Sequence, residues 1–112
     1  MVRSLPFSER VVWMTASSDE EAYRLAESLL KEHLAACVNC VPKVESHYWW
    51  KGKIEHSSET LLIVKTTSQA VPHLIRRVKE LHSYSTPEII GCTITEGSAE
   101  YLKWLNDSVK VP

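Results

Sequence analysis

Eight side chains in this sequence have the chemistry to hold a transition metal: Cys37, Cys40 and Cys92, and the five histidines His33, His47, His56, His73 and His82. Cys37 and Cys40 stand at C-x-x-C spacing, the pattern of a zinc half-site or a redox dithiol. A structural zinc site takes four ligands, and no second C-x-x-C or H-x₃-H pair is present. Residues three apart in an extended strand point to opposite faces, so the two thiols do not easily close on one ion. A redox dithiol places its first cysteine at a helix N-terminus, whereas these two follow a helical segment. All three cysteines therefore read as buried structural thiols, Cys92 lying in the middle of a later strand. The histidines are scattered along the chain. His33 ends the first helical segment, where a cation suits the helix dipole. His82 is the metal candidate, because it borders a loop with Tyr84 and Glu88 close behind and imidazole suits copper. With no companion ligand it is expected at the surface without a partner.

Other chemistries find little support. The sequence has no G-x-S-x-G nucleophile elbow, no H-E-x-x-H zinc helix and no phosphate-binding glycine loop. Glu20/Glu21 and Glu55/Glu59 read as solvated faces rather than acid–base dyads. The loop after the first strand, Ala16-Ser17-Ser18-Asp19, is acidic, where an acylphosphatase-like enzyme would want an arginine. No enzyme is expected. The formal charge is −1, so no global field draws the chain to nucleic acid or anionic lipid. Arg76, Arg77 and Lys79 make one short basic cluster, read as a solvated helix face. Leu61-Leu62-Ile63-Val64 offers no aromatic ring on which a base would stack. No apolar stretch approaches the roughly 18 residues needed to cross a bilayer, and residues 1–10 lack the features of a signal peptide. The expectation is a cytoplasmic protein with reduced thiols.

The elements that position these residues follow from periodicity. Val11 to Thr15 reads as a buried strand. Ser18 and Glu21 have capping-box spacing, and Ala22, Leu25, Ala26, Leu29, Leu30 and His33 then recur on one helical face. From Ala36 to Trp50 the chain is extended, with a break at Pro42, whose missing N–H favours a kink, bulge or edge. Lys51-Gly52 reads as a tight hairpin turn, followed by a strand from Lys53 to Thr67. Ser68 is placed to cap a second helix with Val71, Leu74, Ile75, Val78 and Leu81 or His82 on its inner face and Pro72 in its first turn. Glu88 to Thr95 is the fourth strand, and Gly97-Ser98 opens a short helix carrying Tyr101, Trp104 and Leu105. The order is that of an α+β, ferredoxin-like βαββαβ fold with a long β2–β3 hairpin and a short C-terminal helix. Residues 10–112 form a single domain after a flexible segment, 1–9.

The hairpin is too long for its own domain. Fifteen residues of strand, 36–50, span about 50 Å, against roughly 35 Å for the diameter of a compact domain of this size. Its far end carries Tyr48, Trp49 and Trp50, and an aromatic edge of that length invites pairing with another chain. A homo-oligomer is expected.

Several segments together resemble the CutA divalent-cation-tolerance family. They are Leu34-Ala35-Ala36-Cys37-Val38-Asn39, Tyr48-Trp49-Trp50-Lys51-Gly52-Lys53-Ile54, Val64-Lys65-Thr66-Thr67, Tyr84-Ser85-Thr86-Pro87-Glu88-Ile89 and Tyr101-Leu102-Lys103-Trp104-Leu105, an ordered series over residues 10–109. The resemblance implies a ferredoxin-like subunit in a homotrimer whose hairpins pair across subunits, similar in architecture to the trimeric PII signalling proteins. It implies tolerance to divalent metals, with Cu(II) or another divalent cation as ligand. The alternative it leaves is a PII-like scaffold binding a small molecule or protein partner at subunit clefts. Copper-binding relatives carry a cysteine at the end of the first strand, where this chain has Thr15. They carry a His-His pair at the end of the second helix, where this chain has Leu81-His82. His82 alone is retained, so weak Cu(II) binding is the expectation. Cys37 matches a family cysteine; Cys40 is peculiar to this chain.

Overall fold

A computed structural model describes residues 7–112. Most of the expected flexible segment, 1–9, lies outside the described residues, and the first strand opens at Glu9. The elements are β1 (Glu9–Ala16), α1 (Asp19–Lys31), β2 (Cys37–Trp50), β3 (Lys53–Thr67), α2 (Val71–Leu81), β4 (Ile89–Thr93) and α3 (Ala99–Ser108). The strands form one antiparallel sheet in the order β2-β3-β1-β4. This is the ferredoxin-like arrangement expected from the element order.

Alternation along the strands divides the sheet into two faces. Val12, Met14, Leu62 and Val64 point to one face and are shut in by Ala22, Leu25 and Leu29 of α1 and Leu74 and Val78 of α2. The other face carries Val11, Trp13, Leu61, Ile63 and Ile90 in cross-strand register, Trp13 standing opposite both Ile63 and Ile90. α3 buries Leu102 and Leu105 and ties to the start of β1 through Asn106, whose side-chain amide donates to the Glu9 carboxylate. Trp13 and Ile63 remain half-buried and Ile90 exposed.

Helix starts test the local reading closely. Ser18 caps α1 as expected, its hydroxyl accepting from the Glu21 N–H at 3.1 Å. Ser68 does not cap α2. Its N–H donates to the Ser8 carbonyl at 2.7 Å, extending the β1–β3 pairing, and the helix starts after Ala70 with no side-chain cap. Pro72 in the first turn needs no donor. α1 stops at Lys31, so His33 lies beyond the helix in a left-handed conformation with φ 58°. Leu30, expected inward, is exposed.

The hairpin is built as its sequence suggests. Lys51 and Gly52 both have positive φ, 50° and 80°, the signature of the two-residue type I′ turn that matches strand twist. Pro42 sits in a bulge between Val41 and Val44, where Lys43 also takes positive φ, 60°. The one extra residue exchanges the faces of β2, so Tyr48 and Trp50 share the face of Trp13, and His47 and Trp49 the face of the helices. Side-chain burial on β3 begins only at Glu59, so the distal hairpin runs past the helices and stretches the described residues to 44 × 27 × 22 Å. A methyl group on Gly52 would meet nothing within 4 Å, which leaves backbone strain as the whole cost. Gly52→Ala should therefore lower stability by about 1 kcal/mol, read as a shift in urea midpoint at constant slope.

Candidate functional site

The densest polar cluster forms where the β1–α1 loop, the start of α1, the end of α2 and the α2–β4 loop meet. Glu21 is its hub. The capping-box pattern suggests that its carboxylate reaches back to Ser18, but in the structure it serves other partners. Oε1 accepts from the N–H and hydroxyl of Ser17 at 2.9 and 2.8 Å. Oε2 accepts from the Ser83 N–H at 2.7 Å and lies 3.8 Å from His82 Nδ1. Burial works to raise the carboxyl pKa, yet the hydrogen bonds from Ser17 and Ser83 prevail and bring it down to about 2.

His82 is enclosed rather than at the surface, with no side-chain area left to solvent. Its Nδ1 accepts from the Tyr84 N–H at 3.0 Å, and its Nε2 lies 2.8 Å from the Thr15 carbonyl. That pattern assigns the neutral tautomer with the proton on Nε2. Positions 15 and 82, which the family resemblance singles out, do come together, but through the main chain of Thr15. A metal ion on either ring nitrogen would displace one of these bonds. Tyr84 goes on to donate from its hydroxyl to Glu59 Oε2 at 2.8 Å. Burial and then the Glu59 carboxylate push the Tyr84 phenol well above its ordinary range. Glu21 and Glu59, read from sequence as solvated, are both buried, because the loop after α2 folds over them. Beyond this cluster, Tyr48, Trp50, Tyr84, Ser85 and Thr86 line an open groove of about 280 Å³.

The cysteines divide as the strand geometry requires. Cys40 packs against the core, and burial raises its thiol pKa, with Asp19 adding to the effect. Cys37 turns to the other face and donates to Asn39 Oδ1 at 3.8 Å. Both are partly rather than fully buried, and Cys92 is exposed, because β4 is an edge strand whose outer face α3 leaves open. Among the described residues no group of three or more His, Cys, Asp or Glu side chains is disposed to hold a metal ion. The histidines are not all scattered, however, since His47 and His56 stand directly opposite each other on the hairpin. The two-residue turn could have given this pair from sequence, because both lie the same distance from it.

Comparison with known proteins agrees with this architecture. The family model described as CutA1 divalent ion tolerance protein matches residues 10–108. The chain is 49% identical over 100 residues to the divalent-cation tolerance protein CutA of Thermus thermophilus, covering 89% of this chain and 97% of that protein. It is 45% identical to protein CutA 1, chloroplastic, of Oryza sativa subsp. japonica, and the match spans 89% of this chain and 56% of that protein. The solved structure of the Thermus thermophilus protein superposes with a TM-score of 0.90 at 48% identity, over 91% of this chain and 99% of that one.

Proposed function

This chain belongs to the CutA1 divalent ion tolerance family, and from that premise we propose that it acts as a homotrimer that binds a divalent cation or small ligand without converting it. One observation carries the assembly: the sheet face bearing Trp13, Ile63 and Ile90 continues onto the distal hairpin, where Tyr48 and Trp50 lie on the same side. A second chain laid on that face would cover half-buried and exposed apolar groups in one continuous strip. Binding rather than turnover is supported by the polar cluster, where Glu21 and His82 spend their polar atoms on backbone and neighbouring side chains. Cu(II) affinity at His82 is weak on this reading, because both ring nitrogens are already committed. A cytoplasmic location fits three free cysteines. Among the described residues no helix is long and apolar enough to cross a membrane.

The PII-like alternative has its own support in the groove between Tyr48, Trp50 and Tyr84, which offers aromatic faces and the Ser85 and Thr86 side chains to a flat small molecule. Light scattering at micromolar concentration tests the shared premise, and a mass near three times 12.8 kDa is expected. A stable monomer or dimer would sink the trimer. A thermal-shift screen of divalent cations beside nucleotides and metabolites then separates the two ligand classes.

A further inference from the structure

The distal hairpin carries a pair of potential ligands far along the chain from the Glu21–His82 cluster. His47 and His56 are direct partners in the β2–β3 register, held there by the two-residue turn at Lys51 and Gly52. Their rings stack with centroids 5.5 Å apart and planes 19° from parallel, and both residues are exposed. No hydrogen bond from another described residue engages either ring, in contrast to His82, where both nitrogens are taken. We propose that His47 and His56 form a bidentate cross-strand site for a divalent transition cation, with Cu(II) preferred over Ni(II) and Zn(II).

The geometry suits this use. Imidazole nitrogens ligate such ions at about 2.0–2.1 Å, so one nitrogen from each ring has to approach to within roughly 4 Å. Directly opposed residues have Cβ atoms about 4.5–5.5 Å apart, and two exposed rings already facing each other need only side-chain rotation to converge. The type I′ turn fixes the backbone beforehand, so little ordering cost attaches to bringing the second ligand in. The two imidazoles are the protein's donors, and water would fill the remaining positions. Two imidazole donors without an imposed geometry follow the general order of divalent affinities, which peaks at Cu(II). The site is independent of His82 and of whether the groove binds anything.

A stacked cross-strand pair that serves packing alone is the competing account, and phenylalanine separates the two because it keeps the ring and removes the nitrogens. Calorimetric titration of the full chain with Cu(II) should show one ion per chain. His47→Phe and His56→Phe should each weaken it about 10-fold or more, the equivalent of losing one ligand at about 1.4 kcal/mol. Electron paramagnetic resonance of the parent gives a reading that needs no variant, and two coordinated nitrogens are expected. The proposal is overturned if the parent binds no Cu(II), if either variant binds as well as the parent, or if the spectrum shows fewer than two nitrogens.

Discussion

Replacing Glu21 with glutamine should lower stability by about 2–3 kcal/mol at neutral pH and flatten the response of the chain to acid. The carboxyl sits at about 2 in the folded chain against an ordinary value of 4.5. The unfolded state therefore binds the more protons between those values, and stability rises with pH across that window. The contribution is fully present above about 4.5 and is lost as pH falls toward 2. At about 1.4 kcal/mol per pKa unit, the fall from 4.5 to about 2 corresponds to about 3.5 kcal/mol. Glu21 is 4% exposed, so solvent screening takes little from it. The hydrogen bonds that glutamine keeps bring the expected loss to about 2–3 kcal/mol. Glutamine keeps the shape but turns one oxygen into a donor, which then faces either the Ser17 or the Ser83 N–H. The loop carrying His82 and Tyr84 is tied down through that same contact and should loosen with it. Urea unfolding at several pH values on parent and Glu21→Gln checks this. A variant whose stability still falls as steeply as the parent's between pH 4.5 and 2 would show that other carboxylates carry the acid limb.

Local signals served well where one local rule governs. The bounds of β3, the turn at Lys51 and Gly52, the bulge at Pro42 and the Ser18 cap were all legible, because each depends on φ preference, a missing donor or a side chain's reach to its own backbone. The reading failed where distant chain competes for the same group. Ser68 looks like a helix cap, but pairing with Ser8, just ahead of β1, keeps it in the extended ladder, and the helix starts only after Ala70. Glu21 looks like the far half of a capping box, but Ser17 and Ser83 offer three donors to a buried carboxylate. His82 looks like a surface residue at a helix end, and only the fold brings the Thr15 carbonyl and the Tyr84 N–H to its two nitrogens. Cys92 errs in the other direction: a mid-strand position implies burial only when both faces of the sheet are covered within the chain. The apposition of His47 and His56 is legible from the turn, because a two-residue hairpin loop sets residues at equal distance on either side directly opposite each other.

The proposed trimer should dissociate in Trp50→Ala and stay nearly intact in Trp49→Ala. The two rings are neighbours in sequence and lie on opposite faces of the hairpin, opposite Lys53 and Ile54 respectively. Trp50 is 47% exposed and shares its face with Tyr48, Trp13, Ile63 and Ile90, whereas Trp49 is 72% exposed on the face of the helices. Raw exposure alone would choose Trp49 as the anchor; continuity with the apolar sheet face chooses Trp50. A tryptophan ring offers up to about 250 Å², so roughly 100 Å² of Trp50 remains to be buried, worth about 2–3 kcal/mol per chain. In a closed trimer that loss recurs at each of the equivalent interfaces, so dissociation should be steep in concentration. Ile90→Asp provides the second arm, because Ile90 is 58% exposed on edge strand β4. A carboxylate there costs the single chain little, but costs an apolar interface several kcal/mol. Light scattering across a dilution series, with thermal midpoints beside it, reads both variants. Loss of the trimer in Trp49→Ala alone would place the interface on the helix side of the hairpin. If Trp50→Ala and Ile90→Asp both keep the parent's mass and midpoint, the sheet face is not where the subunits meet.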